Sequence, residues 1–182
     1  MMIRLARLVL GATLVAWVAD WWAGERKDNL RDLGLSGPIR SSILIRAPIE
    51  QVWDQLVDIP GQVRWMRDLK AVSVESPGPI GPGTRARGKV RVLGITVPDS
   101  VEVTDWQPPE RYGYRHLGPW RGDGIFSLTR AADDLTRVDW EERLVPPALP
   151  NLGDVLQHLV LGPIFQEDLE GLKSLLEGGR TA

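Results

Sequence analysis

The chain has 182 residues, of which 43% are apolar and 25% are charged, and its formal net charge is −2. This is the composition of a globular protein with one sizeable core, and the weak negative charge gives no indication of nucleic-acid binding. Because the chain contains no cysteine, the sequence excludes a disulfide framework, a thiolate nucleophile and a sulfur-ligated metal site.

Residues 1–24 read MMIRLARLVLGATLVAWVADWWAG and are largely apolar. The uncharged stretch between Arg7 and Asp20 is shorter than the about 20 residues of a membrane span, although flanking arginines that reach toward the interface would lengthen it. Three tryptophans near its end are typical of an interfacial anchor: Trp17, Trp21 and Trp22. We predict a hydrophobic helix that anchors the chain to a membrane. A helix packed on its own domain or on a partner, and a cleaved signal, are the alternatives.

Residues 25–37 are polar, mixed in charge and glycine-containing, and they predict a linker that carries at most one helical turn. The globular domain is expected to occupy residues 38–182. If residues 1–24 enter a membrane, the basic residues that follow them outnumber Arg4 and Arg7 before them. Since basic residues favour the cytoplasmic side, we expect the domain on that side of the membrane.

The stretch SILIRAPIEQVWDQLVD, residues 42–58, changes character at Pro48. Before the proline, apolar and polar residues alternate as in a strand; after it, apolar residues recur at i, i+3, i+4 and i+7 as on one face of a helix. Proline suits the first helical turn because its missing N–H would have no partner there. We predict a strand over 38–46, a helix over 48–57 and a second short helix over 60–66.

Further segments alternate as strands do: 71–76, 83–94, 95–106, 111–117, 124–130 and 136–145. Turns are expected at PGPIGPG, RGDG and AADD. From Asn151 to Glu177 apolar residues recur at helical spacing, and Gly162-Pro163 predicts a kink or a break. The pattern is that of an α+β fold in which a curved antiparallel sheet wraps around a long C-terminal helix. A cavity is expected between sheet and helix.

This pattern resembles the START-like (SRPBCC) superfamily and its helix-grip fold. The likeness covers about residues 40–178 and rests on ILIRAPIEQVWDQLVD, the tryptophan of GQVRWMRDLKAVSV, GPGTRARGKV, TDWQPPERYGYRH and TRVDWEERL. Within the superfamily, the sequence is most similar to polyketide cyclase/dehydrase-like and lipid-transport-like proteins. The resemblance implies the fold, with functions that range over sterol, lipid and hormone carriers, aromatic polyketide cyclases and co-chaperone domains.

Two histidines are candidates for chemistry. His116 shares a strand face with Tyr112 and Tyr114; facing the cavity, the three would offer hydrogen bonds to a ligand or an acid/base pair, and facing outward they would form a solvated aromatic patch. His158 follows Asp154 at i, i+4, so the two can pair on one helix face. Such a pair orients a general base in some enzymes, but a surface pair is the commoner arrangement.

Glu142 lies on the apolar face of its strand, where a carboxylate needs a partner, a ligand or a place at the sheet rim. Arg121 and Arg46 are the candidate partners, either in a buried ion pair without any ligand role or in a site where Glu142 also meets a ligand. Trp120 is expected at a hairpin tip, where it could gate the cavity mouth.

We predict that the domain binds or transports a hydrophobic small molecule, such as a lipid, an isoprenoid or a polyketide-like compound. The expected ligand contacts are Val90, Val101, Val103, Tyr112, Tyr114, His116, Trp120, Phe126, Trp140, Glu142, Leu156 and Leu159. One alternative is a cyclase or dehydratase for an aromatic or polyketide-like substrate, with His116, Tyr114 or Glu142 as acid or base. The other is a membrane-tethered protein-interaction module. No metal-binding motif and no cofactor motif is present, so neither group is expected.

Basic residues share one face of the segment 83–94: Arg85, Arg87, Lys89 and Arg91. They predict a solvated convex face of the sheet, or contact with anionic lipid headgroups, where each cation contributes about 1 kcal/mol. The aromatic residues that would interleave them in a single-stranded nucleic-acid site are missing.

Overall fold

The computed structural model describes residues 2–118, 120–146 and 149–178. The described part of the chain contains four α-helices, one 3₁₀ helix and seven strands. In chain order these are α1 (Met2–Glu25), α2 (Lys27–Asp32), β1 (Ile39–Ile45), α3 (Ile49–Val57), the 3₁₀ helix (Ile59–Arg64), β2 (Leu69–Val74), β3 (Arg85–Val92), β4 (Ile95–Gln107), β5 (Arg111–His116), β6 (Arg121–Ala132), β7 (Leu135–Val145) and α4 (Pro150–Gly178).

The strands form one antiparallel sheet in the order β1-β7-β6-β5-β4-β3-β2. From β2 to β7 each strand pairs with the next one along the chain, and β1 is added beside β7, where Ile39 lies opposite Glu142 and Ile45 opposite Thr136. The sheet curls into a half-barrel that holds α4. The predicted α+β helix-grip fold is therefore confirmed.

The apolar stripe of α3 is buried, as its spacing predicts, and α3 begins directly after Pro48. Its buried residues are Ile49, Val52, Trp53 and Leu56. They join one core with the inward residues of the sheet and with Leu169 and Leu172 of α4. Burial of each such side chain contributes about 1.5–3 kcal/mol, which is why the stripe holds α3 over one end of the sheet.

We predicted a kink or a break at Gly162-Pro163; the helix α4 continues through both residues, so a break is wrong and a kink stays a prediction. A proline inside a helix removes one backbone hydrogen bond. Both halves of α4 are held by tertiary contacts, since Gln157 and His158 are buried before the proline and Leu169 and Leu172 after it. These contacts keep the two halves in one helix.

Side chains of α4 also bond to the outer backbone edge of β1. Lys173 Nζ donates to the carbonyl of Leu44 at 2.9 Å and Gln166 Nε2 to that of Ser42 at 3.5 Å. Glu177 Oε1 accepts from the backbone N–H of Arg46 at 2.8 Å. Three backbone groups along this edge are thus bonded to a helix of the same chain and are not available to an eighth strand.

The sequence RGDG, predicted as a turn, is instead the first part of β6, which begins at Arg121. Glycines usually indicate turns. In β6, Gly124 lies opposite Tyr114 of β5 and Glu142 of β7. The prediction failed because the large side chains that require this glycine belong to neighbouring strands, far away in the sequence.

At the N-terminus, the last turns of α1 pack against the start of α4. Asp20 Oδ1 accepts from the backbone N–H groups of Asn151 and Leu152, each at 2.9 Å, and Ala23 is buried. Since the first N–H groups of a helix have no partner within it, the Asp20 carboxylate of α1 caps the start of α4. No helix in the described ranges is long and apolar enough to cross a membrane.

Candidate functional site

A cavity of about 570 Å³ lies between the concave face of the sheet and α4. One wall is a row of aromatic rings, each packed against the next. Phe126 stacks on Trp140 with ring centroids 4.7 Å apart and lies 6.1 Å from Tyr112. Trp140 in turn meets Phe165 of α4 at 4.4 Å. The rings come from β5, β6, β7 and α4, so strand alternation and the helical stripe together place them in one wall.

The mouth of the cavity is bordered by exposed apolar side chains. Leu93 and Ile95, in and after the tight turn between β3 and β4, line the cavity yet are 80% and 68% exposed. Trp120, just before β6, and Leu156 of α4 also line it and are exposed. An apolar rim of this kind is typical of a site that admits apolar ligands.

A buried polar cluster lies in the wall beside this mouth. Glu142, 1% exposed, accepts from His116 Nε2 at 2.8 Å and from the hydroxyl of Tyr114 at 2.7 Å. Trp140 Nε1 donates to the same carboxylate at 3.0 Å. On its other side, His116 Nδ1 bonds to Asp99 Oδ2 at 2.9 Å. The partners of Glu142 are thus members of the cavity wall, and the expected arginine partner, Arg121 or Arg46, was wrong.

The two carboxylates hold His116 in its charged form. Burial alone would lower the pKa of His116, but the hydrogen bonds to Asp99 and Glu142 and the charges of both acids raise it to about 10. Burial and the neighbouring Glu142 raise the pKa of the Tyr114 hydroxyl well above its usual value. At neutral pH both ring nitrogens of His116 therefore carry protons, and Tyr114 keeps its own.

Gly124 makes room for this cluster. It lies on β6 between Tyr114 on β5 and Glu142 on β7. A β-carbon at Gly124 would collide with the Tyr114 ring and the Glu142 carboxylate. Because glycine has no β-carbon, the two side chains meet directly above β6. Gly124 is therefore a positioning residue of the cluster.

A second buried acid, Asp168, lines the cavity from α4. It is 4% exposed, and its Oδ1 accepts from the backbone N–H of Arg67 at 2.8 Å. Burial raises the pKa of Asp168 to about 7, the hydrogen bond from Arg67 opposes this, and the charges of Asp68 and Glu167 add to it. A carboxylic acid with such a pKa in an apolar cavity is a common feature of functional sites.

Most of the expected ligand contacts line the cavity: Val90, Val101, Tyr112, Tyr114, His116, Trp120, Phe126, Trp140, Glu142 and Leu156. Their role in binding stays a prediction. Two do not line it. Val103 is buried in the core. Leu159 is 57% exposed. It was predicted to contact the ligand because helical spacing alone does not distinguish the cavity-facing stripe of α4 from an exposed apolar one.

Asp99 and Asp168 belong to the site although the sequence pattern did not single them out. Asp99 alternates with Val97 and Val101 on the inward face of β4, the same signal that singled out Glu142. Asp168 lies seven residues after Leu161 and three before Gly171, on the inward stripe of α4. In both cases the signal was an acid on an apolar face. For Asp99 the preceding Pro98 interrupts the strand pattern of β4, which makes that face harder to recognise.

Asp154 and His158 make structural hydrogen bonds and do not form a close carboxylate–imidazole pair. His158 Nδ1 donates to the backbone carbonyl of Asp154 at 2.7 Å, whereas the Asp154 carboxylate is 3.7 Å away. That carboxylate instead accepts from Ser36 at 2.7 Å and Gln157 at 2.8 Å. The contact with Ser36 connects α4 to the segment that follows α2.

Part of the basic stripe is engaged in exposed ion pairs on the convex side of the sheet. Arg85 pairs with Glu102 at 2.7 Å and Arg87 with Glu75 at 3.0 Å. Exposed pairs contribute little stability. Within the described residues, no three histidine, aspartate or glutamate side chains are grouped so that they could hold a metal ion.

The sequence model of the polyketide cyclase / dehydrase and lipid transport family matches residues 38–177. The chain therefore belongs to this family. No curated protein sequence matches the chain.

Solved structures share the fold. The protein TTHA0849 from Thermus thermophilus has a TM-score of 0.67 at 20% identity, over 80% of this chain and 100% of that one. The Zhui aromatase/cyclase from Streptomyces sp. R1128 has a TM-score of 0.64 at 17% identity, over 78% and 93% of the two chains. A START superfamily protein from Mycobacterium smegmatis has a TM-score of 0.57 at 15% identity, over 78% and 97%. At these identities the likeness concerns the fold.

Proposed function

We propose that this protein binds or carries a hydrophobic small molecule in the cavity between the sheet and α4. The observation that carries the proposal is the cavity itself, about 570 Å³ with an aromatic wall and an exposed apolar rim. A ligand pocket is typically a concave, largely apolar space with a few polar groups that fix orientation. The family's description, which names both cyclase/dehydrase activity and lipid transport, is consistent with this.

Binding is favoured over catalysis because neither the imidazole of His116 nor the hydroxyl of Tyr114 has a pKa near neutral pH. A general base or acid works best with a pKa near the working pH. The pKa of His116 is about 10 and that of Tyr114 lies well above its usual value. Both groups therefore keep their protons near neutral pH and donate hydrogen bonds that hold Glu142 in place.

The cyclase or dehydratase alternative would depend on a different residue. Asp168, with a pKa of about 7 in the cavity wall, has the property that a general acid/base requires. A search for turnover with aromatic polyketide-like substrates should therefore use Asp168→Asn as its inactive control and His116→Gln as a comparison.

We further propose that α1 holds the domain at a membrane surface, on the cytoplasmic side. Along its described side chains, α1 exposes a run of large apolar residues: Leu14, Val15, Trp17, Val18, Trp21 and Trp22. Such residues partition into the interfacial zone of a bilayer. The basic residues of β3 could add attraction to anionic headgroups. Co-sedimentation of the full chain with anionic vesicles should be lost in the triple variant Trp17→Ser/Trp21→Ser/Trp22→Ser.

The binding proposal is tested by filling the cavity. Val101 lines the cavity, whereas Val145 is 60% exposed at the end of β7, so Val101→Trp and Val145→Trp form a matched pair. We expect a neutral naphthalene dye to bind the native chain and Val145→Trp alike and to lose at least tenfold in affinity for Val101→Trp. Equal affinities for all three folded proteins would contradict the proposal.

A further inference from the structure

The buried cluster has no hydrogen-bond donor left for a ligand. Both N–H groups of His116 are engaged, one by Glu142 and one by Asp99. The Tyr114 hydroxyl and Trp140 Nε1 both donate to Glu142. What the cluster still presents are oxygen lone pairs. A polar ligand group beside it must therefore be a donor, because an acceptor would meet only acceptors.

A free acceptor lies at the same end of the cavity. Gln157 lines the cavity and is 5% exposed. Its Nε2 donates to the carbonyl of Leu144, two residues along β7 from Glu142, at 3.1 Å and to Asp154 at 2.8 Å. These bonds fix the orientation of the amide and leave Oε1 without a partner among the described residues. A buried polar atom without a partner is destabilising, and a hydrogen-bond donor on a ligand would offset this cost.

The charge of the cavity also favours a ligand that donates hydrogen bonds, and a cationic donor in particular. Four acidic side chains line it, those of Asp68, Asp99, Glu142 and Asp168, and among the described lining residues His116 is the one basic side chain. The cluster of Asp99, His116 and Glu142 alone carries a net negative charge when all three are ionised. In an apolar enclosure such a charge acts strongly on a ligand charge.

We propose that the cavity selects a hydrophobic molecule whose polar end is a protonated amine, seated against Gln157 Oε1 and the oxygens of Asp99 and Glu142, and that it rejects lipids with a carboxylate or phosphate. The inference rests on the proposed binding function and names the class of ligand. A neutral alcohol would supply the donor without the charge and should rank between the two.

The test is a matched series on the full chain: decylamine, decanol and decanoate, each competing with the neutral naphthalene dye. We expect the amine to bind at least tenfold tighter than the alcohol, and the carboxylate to bind more weakly than the alcohol. Equal affinities of the three would overturn the charge selection and leave hydrophobic binding intact. Preference for decanoate would overturn it as well. If neither the dye nor any of the three binds, the proposed function itself fails.

Two variants separate charge from hydrogen bonding. Asp99→Asn keeps an oxygen that can accept from His116 but removes one negative charge, so we expect the amine-to-alcohol preference to fall about tenfold. Asp123→Asn removes an exposed carboxylate that pairs with Arg115 and should leave the preference unchanged. Gln157→Met should weaken amine and alcohol alike. An unchanged preference in folded Asp99→Asn would refute the proposed seat of the amine.

Discussion

Replacing Asp168 by asparagine should stabilise the protein by an amount that grows as pH rises from 4 and reaches its full size above pH 7. The Asp168 carboxyl is buried and its pKa is raised from an ordinary value of 3.8 to about 7. Below about pH 4 the acid is protonated whether the chain is folded or not, so it makes no difference. As pH rises from 4 to 7 the unfolded chain releases this proton while the folded protein retains it, and the free energy of unfolding falls.

The size of the effect follows from the two pKa values. Each unit between them corresponds to about 1.4 kcal/mol, so the penalty above pH 7 is at most about 4 kcal/mol. Asparagine keeps an oxygen that can accept from the Arg67 N–H and carries no charge. Its second amide hydrogen bond needs a partner, so we expect Asp168→Asn to gain roughly 2–4 kcal/mol at pH 8 and nothing near pH 4.

The assay is urea unfolding followed by tryptophan fluorescence at pH 4.5, 6 and 8 for the native chain and Asp168→Asn. Glu167→Gln is the control, because Glu167 is the neighbouring residue, exposed and paired with Arg67 at 3.4 Å. That variant should change stability by less than about 1 kcal/mol at every pH. A gain for Asp168→Asn that is the same at all three pH values would refute the reasoning, since a titrating buried acid cannot produce it.

Three further predictions concern the cluster and the N-terminal helix. Gly124→Ala places a β-carbon against Tyr114 and Glu142, so it should cost about 1–3 kcal/mol in urea unfolding, whereas Gly81→Ala, with open space around it, should be near neutral. The pKa of His116 is raised to about 10; its stabilisation is complete below about pH 6.5 and is lost as pH rises through 10, so the native chain should lose more stability between pH 7 and 10 than His116→Gln. An equal loss in both would contradict the assignment. Asp20→Ala removes the cap of α4 and should cost about 1 kcal/mol and make α1 more sensitive to proteolysis, whereas Glu25→Ala, exposed at the end of α1, should do neither.

The sheet, α3 and α4 could be predicted because their signals are local. Alternation over six to ten residues and a helical stripe after Pro48 both report burial on one face, and the sheet then buries those faces. The RGDG segment could not be assigned correctly, because the reason for Gly124 is the pair of side chains on strands ten residues before it and eighteen residues after it.

The site was only partly predictable for a related reason. Glu142 stood out as an acid on an apolar face, but its partners lie on β5 and β7 and are brought together by strand register, which a single sequence does not contain. Charge complementarity alone favours Arg121 or Arg46 as its partner. The cap that Asp20 supplies to α4 joins residues 131 positions apart, and no local pattern reports such a contact.

Gln166, Lys173 and Glu177 of α4 bond to the outer backbone edge of β1. The C-terminal helix therefore covers an edge that would otherwise be open to pairing with another strand. Until α4 has been synthesised and has docked, β1 presents an open row of backbone donors and acceptors with Ile43 and Ile45 nearby, and such an edge readily pairs with another chain. Shortening the chain before Gln166 should therefore produce self-association through β1, even though most of the sheet would still be present. The C-terminal helix thus blocks strand pairing at this edge in addition to closing the cavity.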